Sequence, residues 1–200
     1  MVQLQKKREY SEEELIGEIL FESYQLFGLY GIRRVRMQDI AREAGISRTT
    51  LYKYFSSKRE IVMRLLGAMR LRATALMNEL DNETLSFETK LTMITESKLA
   101  ALQEMGEIFI KEILADEEYR VALTEIQAEI SRSFVEFLKR EQKQGNICGE
   151  YDAEFLSMYF MSLQKLIEDE KLAEFYPDMA DFTVALINIA LRGIWTRHKE

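Results

Sequence analysis

The segment that most constrains the fold is residues 35–58, in which two short patterns of apolar residues stand on either side of Gly45. Each pattern, one over about 37–44 and one over 47–55, repeats its apolar residues at the three- and four-residue steps of an α-helix. A glycine directly after a helix commonly ends it, and Ser47 is a residue type that commonly begins the next one. The segment therefore predicts two short helices joined by a tight turn.

The outward side of the second short helix carries polar groups that packing does not require. At about 100° per residue, Leu51 and Phe55 fall on one side of this helix, and Thr49 and Lys53 fall on the other. Hydroxyl and amine groups in this arrangement suit the major groove of DNA, where they meet base edges and phosphate oxygens. An ordinary solvated helix face is the alternative, but the paired helices favour a helix-turn-helix motif.

The rest of the chain predicts helices and no strands. It contains one proline and nine glycines, and 47% of its residues are hydrophobic, which is enough for a sizeable core. No alternation of β-branched residues bounded by turn residues indicates a strand. We therefore expect an all-α fold, with helices over about 11–30, 37–44, 47–55, 57–80, 84–104, 106–115, 117–143, 152–171 and 178–198.

The start of the long fourth helix carries a second indication of DNA binding. Ser57 and Glu60, three residues apart, form the pattern of a capping box. Lys58 and Arg59 lie in the same first turn, where a cation opposes the helix dipole at a cost of about 0.3–1 kcal/mol. That placement is better explained if the two cations and the free amides converge on a phosphate. Exposed cations tolerated at small cost are the alternative, more readily for Arg59 than for Lys58.

Charge is divided unevenly along the chain, although the net charge of −7 is unusual for a DNA-binding protein. Residues 1–72 contain 14 Lys and Arg against 9 Asp and Glu, whereas residues 73–200 contain 13 against 25. A basic N-terminal part on an acidic body confines the attraction for phosphate to one end of the molecule.

Other classes of protein find little support in the sequence. It contains no glycine-rich phosphate loop, no Cys/His cluster and no pairing of a nucleophile with a base, so we expect neither an enzyme nor a bound metal or cofactor. The longest mostly apolar stretch, residues 182–191, is far shorter than the about 20 residues that span a bilayer. With the single cysteine Cys148, and no apolar signal segment over residues 1–14, the protein is expected to be cytoplasmic.

Taken together, residues 13–73 resemble the DNA-binding domain of the TetR (tetracycline repressor) family. The groups that carry the resemblance are specific in combination, and they are Leu26-Phe27, Tyr30-Gly31, Asp39-Ile40-Ala41, Ala44-Gly45-Ile46-Ser47, and Thr50-Leu51-Tyr52-Lys53-Tyr54-Phe55 with Ser57-Lys58. The resemblance implies a helix-turn-helix at about 36–55 within this domain. It also implies that the long fourth helix joins the domain to a helical ligand-binding and dimerisation domain over residues 74–200.

The resemblance further implies which residues contact DNA. In the family, the matching positions that commonly do so are Thr49, Thr50, Tyr52, Lys53, Tyr54 and Lys58. Arg48, in the first turn of the second short helix, is expected to reach either backbone or base. Arg36 replaces the threonine that usually caps the first short helix, so it either weakens that cap or supplies a phosphate contact. Tyr54 replaces a common histidine and can still bond a phosphate.

The C-terminal domain is less informative about its ligand. Several apolar, adaptable side chains are candidates to line a pocket for a largely apolar small-molecule effector. These candidates are Met93, Met105, Phe109, Phe134, Phe137, Met158 and Met161. For any one of them, a place in the plain hydrophobic core is the simpler interpretation.

The last two predicted helices are apolar on more than one face, which a surface helix does not need. We expect the second face to pack against another copy across a two-fold axis, which gives a homodimer with a four-helix interface. The residues expected there are Phe155, Tyr159, Leu163, Leu166, Leu186, Ile187, Ala190, Leu191, Ile194 and Trp195. The alternative is that one of these helices is central in the core of a monomer.

These observations favour a transcriptional regulator over other classes. We expect a repressor that binds a pseudo-palindromic double-stranded DNA operator as a homodimer and leaves it when a small molecule binds the C-terminal domain. A helical dimeric scaffold that retains the fold but has lost specific DNA binding is the alternative.

Overall fold

The computed structural model describes residues 11–104, 106–166, 181–182, 185–186 and 189 of the chain. These residues form eight α-helices and no strand, which confirms the expected all-α fold. The helices are α1 (Glu12–Tyr30), α2 (Met37–Glu43), α3 (Arg48–Tyr54), α4 (Lys58–Leu80), α5 (Phe87–Glu104), α6 (Glu107–Ala115), α7 (Glu117–Lys143) and α8 (Ala153–Leu166). None of the described helices is long and apolar enough to cross a membrane.

The chain divides into two compact units. The first, called the head below, comprises the described residues up to Gly67 together with Gly106–Arg120, and the second, called the body, comprises the others. The sequence placed the division near residue 73 and assigned residues 74–200 to a single domain. In the structure α6 belongs to the head, so the predicted range 13–73 lacks one of the head's helices.

Apolar side chains at helical spacing fill the core of the head. The buried residues of α1 to α4 and of the positions that directly follow α2 and α3 include Ile19, Phe27, Ile40, Ala41, Ala44, Leu51, Phe55, Ile61, Val62 and Leu66. Ser11 caps α1 through a reciprocal pair of bonds, because its hydroxyl accepts the amide of Glu14 at 3.2 Å and its own amide donates to the Glu14 carboxylate at 2.8 Å. These bonds hold the pKa of Glu14 below its usual value.

Helix α6 packs closely on the C-terminal half of α1. The ring of Phe109 stacks on Phe27 and meets Tyr24 edge-on, with both pairs of ring centroids 5.8 Å apart. At the start of α6, a Cβ added to Gly106 would lie 2.1 Å from the carbonyl oxygen of Gly28. Only a residue without a side chain permits this approach, so the glycine fixes the distance between α6 and α1.

The body has its own core, built from the end of α4, α5, α7, α8 and the turn before α8. Its buried residues are Leu80, Phe87, Ile94, Phe137, Leu138, Ile147, Ala153 and Leu156. An ion pair lies inside this unit, with Lys90 Nζ 2.6 Å from Glu141 Oε1 and both side chains at most 3% exposed. The side-chain amide of Asn146 donates to the other carboxylate oxygen at 2.7 Å, so both oxygens of Glu141 are satisfied.

The body helices differ from the predicted ones mainly at their ends. Helix α5 begins at Phe87 rather than near residue 84, because Asn82 holds a turn by accepting the amide of Thr84 at 3.0 Å. Ser86 then caps the helix by accepting the amide of Thr89 at 3.1 Å. The predicted continuation of α8 to residue 171 lies outside the described residues, as does most of the predicted helix 178–198.

Candidate nucleic-acid interface

The turn between α2 and α3 is set by Gly45. This residue has φ +66°, the left-handed conformation common for a glycine that follows a helix, and α2 ends at Glu43, two residues before it. The amide of Gly45 donates to the carbonyl of Arg42 at 3.1 Å, and the amide of Ile46 donates to that of Ala41 at 2.9 Å. The chain therefore leaves α2 in a fixed direction and begins α3 three residues later.

Ser47 caps α3, as the sequence predicted. Its Oγ accepts the amide of Thr50 at 3.0 Å and lies 2.8 Å from the Thr50 hydroxyl. Thr50 is half-buried and its hydroxyl is already paired with the cap. This residue therefore stabilises the start of the helix in the free protein, and its predicted contact with DNA stays a prediction.

The two sides of α3 separate as the helical periodicity indicated. Leu51 and Phe55 are buried in the head, whereas Thr49, Tyr52 and Lys53 are exposed. The buried pair fixes the rotation of the helix, so that a hydroxyl, a phenol and an amine face solvent together. These are groups that bind base edges and phosphate oxygens in the major groove.

The remaining polar groups of the helix-turn-helix have distinct surroundings. The guanidinium of Arg48 is exposed and lies over the ring of Tyr52, 5.6 Å from its centroid. Tyr54 is half-buried. At the start of α2, the amide of Arg36 donates to Asp39 Oδ2 at 2.9 Å, while the Arg36 side chain is exposed and makes no cap hydrogen bond. The Arg36 side chain therefore does not cap α2 as a threonine would. Of the two roles expected for Arg36, the contact with a phosphate stays a prediction.

Lys58 occupies an intramolecular site that the sequence did not predict. Its ammonium donates to the carbonyl oxygens of Ile32 and Val35, the latter at 2.7 Å, and lies 3.4 Å from that of Arg33. Burial lowers the pKa of Lys58, and the nearby carboxylate of Glu112 partly offsets this effect. Three donors therefore meet three carbonyls of the turn between α1 and α2. The predicted phosphate contact of Lys58 stays a prediction, and these bonds oppose it.

The sequence predicted that Arg59 and Lys58 converge on one phosphate. This prediction is wrong for Arg59, whose side chain is paired within the head. Its guanidinium forms ion pairs with Asp116, at 3.1 Å, and with Glu118. It also lies over the ring of Tyr119, 5.3 Å from the centroid, and Tyr119 has a raised pKa because burial outweighs the opposing effect of Arg59. Arg59, Asp116 and Glu118 border an open, polar cleft of about 360 Å³, which does not suit an apolar molecule.

The capping box predicted at the start of α4 is present only in part. The Ser57 hydroxyl accepts the amide of Glu60 at 3.2 Å, as expected. The carboxylate of Glu60 bonds Ser56 instead of Ser57, accepting its amide at 2.7 Å and its hydroxyl at 2.8 Å. These bonds lower the pKa of Glu60 and keep its negative charge in the first turn, where the helix dipole favours it.

Glu112 of α6 contacts the turn that precedes the helix-turn-helix, and no pattern in the sequence predicted this contact. Its Oε2 accepts the amide of Arg33 at 2.9 Å across 79 residues of sequence. Gly31 has φ +81°, and a Cβ there would lie 2.7 Å from Ile108 and 2.9 Å from Glu112. The turn between α1 and α2 is thus held between Lys58 on α4 and Glu112 on α6. Because Arg33 and Glu112 are far apart in the sequence, no local sequence pattern predicts their contact.

The residues predicted to line an effector pocket do not form one group. Phe134, Phe137 and Met93 pack together in the core of the body, with the rings of Phe134 and Phe137 stacked at 5.9 Å. Phe109 is wrong as a body pocket residue, because it packs on α1 inside the head. Met158 and Met161 are 68% and 41% exposed, so they do not line a pocket among the described residues. Met105 lies outside the described residues.

Helix α8 has the two apolar sides that the sequence indicated. Ala153, Leu156 and Ser157 are buried, and Phe160 packs against the core of the body. The other side leaves large apolar groups in solvent, and these are Phe155, Met158, Tyr159 and Met161. Of the other predicted interface residues, Leu163 and Leu186 are half-buried. The side chains of Leu166, Ile187, Ala190, Leu191, Ile194 and Trp195 lie outside the described part of the structure.

Known proteins resemble the head in sequence and the chain in fold. Residues 19–65 match the model of the family described as bacterial regulatory proteins, tetR family. The chain is also 24% identical over 181 residues to an uncharacterized HTH-type transcriptional regulator of Mycobacterium bovis, with 88% of this chain and 92% of that protein covered.

Solved structures resemble the chain over most of its length. A transcriptional regulator from Saccharomonospora viridis, in complex with choline, matches with a TM-score of 0.72 and 20% identity over 93% of this chain and 100% of its own. FadR from Bacillus subtilis, in complex with stearoyl-CoA, matches with a TM-score of 0.64 and 15% identity over 89% of this chain and 98% of its own. At these identities the likeness is one of fold.

The buried three-helix core and the outward polar side of α3 define a helix-turn-helix DNA-binding protein. The match over residues 19–65 and the related regulator specify the class further. By this match the head carries a TetR-type DNA-binding domain, and the chain is similar to a transcriptional regulator over most of its length.

Proposed function

We propose that this protein is a repressor that binds a pseudo-palindromic operator as a homodimer and is released from it by a small molecule bound in the body. The observation that carries this proposal is the orientation of α3. Leu51 and Phe55 anchor the helix in the head, and Thr49 and Lys53 face solvent on its opposite side. A helix held in this way offers its polar side chains to the major groove without rearrangement of the head.

The exposed apolar side of α8 supports the homodimer. Phe155 and Met158 are 57% and 68% exposed, and Tyr159 beside them is 41% exposed. Large apolar groups gathered on one helix face commonly mark a protein–protein contact, and a two-fold axis allows one such face to cover its copy. A symmetric dimer would present two α3 helices to half-sites about 34–36 Å apart on DNA.

The ligands found in two structures of similar fold support release by a small molecule. The regulator from Saccharomonospora viridis was solved with choline, and FadR from Bacillus subtilis with stearoyl-CoA. The body of this chain has a core of large apolar residues, including Phe134, Phe137 and Phe160. We propose a largely apolar effector that binds in the body, and a cytoplasmic location where both effector and operator are accessible.

The competing function is a helical scaffold that has lost specific DNA binding. Selection of bound fragments from random double-stranded DNA, followed by sequencing, separates the two. Repeated enrichment of a pseudo-palindromic sequence supports the regulator, whereas retention of fragments without a common sequence supports the scaffold. Addition of candidate effectors, such as acyl-CoA esters and quaternary amines, to the protein on its enriched operator then tests release.

A further inference from the structure

Arg48 is an exposed arginine of α3 with an aromatic neighbour on the same helix. It occupies the first position of α3, next to the Ser47 cap, and its guanidinium lies over the ring of Tyr52 one turn later. Arg42 and Arg59, in contrast, form ion pairs with carboxylates. Arg48 forms no ion pair with any residue that the structure describes. Its charge is therefore available to a partner outside the chain.

The position of Arg48 is unfavourable for the isolated helix. The first turn of α3 contains no acidic residue, and a cation there opposes the helix dipole. The ring of Tyr52 offsets part of this cost, because its face attracts a cation within about 6 Å of the centroid. An exposed arginine held at this end of a recognition helix needs an explanation outside the stability of the head.

The geometry of the pair also preserves the hydrogen-bonding capacity of the arginine. An aromatic ring covers one face of a guanidinium, whereas the five N–H donors lie in the plane of the group and stay free. The attraction of the Arg48 guanidinium to the Tyr52 ring, 5.6 Å from its centroid, therefore favours one placement of the arginine and uses none of its donors. A planar guanidinium in a favoured orientation can donate to two adjacent acceptors at once, which the compact ammonium group of a lysine does less well.

We propose that Arg48 is a specificity-determining residue that reads a guanine in each operator half-site, and that Tyr52 is the positioning residue that orients it. Guanine presents O6 and N7 side by side in the major groove, and a bidentate arginine is the side chain that matches them best. The N-terminal residues of a recognition helix are those that meet base edges. This inference rests on the proposed operator binding and names one base of the operator.

The experiment uses the full chain and selection from random DNA, first with the wild type and then with Arg48→Lys, Tyr52→Phe and Tyr52→Leu. The wild type is expected to enrich a guanine at one symmetric position of each half-site. Arg48→Lys keeps the charge but removes the planar guanidinium, so its preference for guanine at that position is expected to fall about tenfold or more. The base preferences at the other operator positions are expected to remain. The melting temperature of each variant is also expected to remain, because the side chains of Arg48 and Tyr52 are exposed.

The two tyrosine variants test the positioning role. Tyr52→Phe keeps the ring and is expected to keep the guanine preference, although overall affinity falls if the phenol bonds DNA. Tyr52→Leu removes the ring and is expected to lose most of that preference. Equal loss in both variants overturns the role of the ring.

Two further outcomes separate this inference from the proposed function. If the wild type enriches an operator and Arg48→Lys keeps the same preferences, Arg48 contacts a phosphate and the inference is wrong while the function stands. If the wild type enriches no sequence at all, the proposed function and the inference are both overturned.

Discussion

The hydroxyl of Ser47 accepts the amide of Thr50 at 3.0 Å and thereby closes the first turn of the helix that carries the proposed DNA-binding residues. The hydroxyl oxygens of Ser47 and Thr50 also lie within hydrogen-bond distance, 2.8 Å apart. An α-helix of seven residues has few internal hydrogen bonds, so its end groups matter more than those of a long helix. The cap links the stability of α3 directly to the operator-binding surface.

Ser47→Ala is expected to lower the free energy of unfolding by about 1 kcal/mol, because the amide of Thr50 loses its acceptor. Operator affinity is expected to fall as well, since the first turn of α3 frays. Chemical denaturation and a binding titration on the selected operator measure the two effects. Ser47→Thr keeps the hydroxyl and is the matched control, expected to retain both properties. Unchanged stability and affinity in the alanine variant would remove the cap from this explanation.

Lys53→Ala is expected to weaken binding to the operator by about tenfold and to weaken binding to random DNA less, because an exposed amine in the centre of α3 faces base edges. Thr49→Ala is expected to act in the same direction. Lys143→Ala removes the same charge from an exposed position in the body and serves as the control. Equal loss on operator and random DNA for Lys53→Ala would assign this residue to phosphate instead of bases.

Lys58→Met is expected to destabilise the head by about 1–3 kcal/mol, because carbonyls of the turn between α1 and α2 lose a charged donor. The slope of log affinity against log salt is expected to match that of the wild type. A phosphate contact predicts instead a slope lower by about 1. Lys53→Met, at an exposed position, is the control for stability and is expected to unfold like the wild type. Full stability with a reduced slope would restore the phosphate role of Lys58.

The sequence predicted the head well because its main signals act over three or four residues. The cap at Ser47, the left-handed Gly45 and the burial of Leu51 opposite exposed Lys53 all follow from local spacing. The contact of α6 with α1 could not be predicted in this way, because Phe109 and Phe27 are distant in sequence.

The same reason explains the errors in the predicted pocket. Phe109 and Phe134 are equally apolar in sequence, yet one lies in the core of the head and the other packs in the body. Met158 lies on the side of α8 that faces solvent. Periodicity shows that a helix has an apolar face, whereas only the three-dimensional structure shows which neighbour covers it.

A pair of glycine substitutions tests the close packing of α6 on α1. Gly106→Ala is expected to destabilise the protein by about 1–3 kcal/mol, because the added Cβ would lie 2.1 Å from the Gly28 carbonyl oxygen. Gly67→Ala is the matched change within α4, where a Cβ has nothing within 4 Å. It is expected to stabilise by about 0.5–1 kcal/mol, since alanine is the better helix former. Thermal unfolding of the two variants measures both signs, and a neutral Gly106→Ala would contradict the close approach.

The exposed side of α8 leads to the prediction with the widest consequence, because a single head offers only one recognition helix to a two-part operator. The wild type is expected to sediment at low micromolar concentration as a dimer, with twice the chain mass of 23.5 kDa. Met158→Glu places a charge on a residue that is 68% exposed in the single chain, and it is expected to give a monomer with an unchanged helical content.

Phe21→Glu is the control for this substitution, because Phe21 is 57% exposed on α1 and lies outside the proposed interface. It is expected to remain a dimer. Loss of the dimer should weaken operator binding strongly, since the two half-sites are then bound independently instead of through one linked assembly. A monomeric wild type would overturn the proposed dimer. Dimers that persist in Met158→Glu would place the interface elsewhere and leave the apolar side of α8 to another partner.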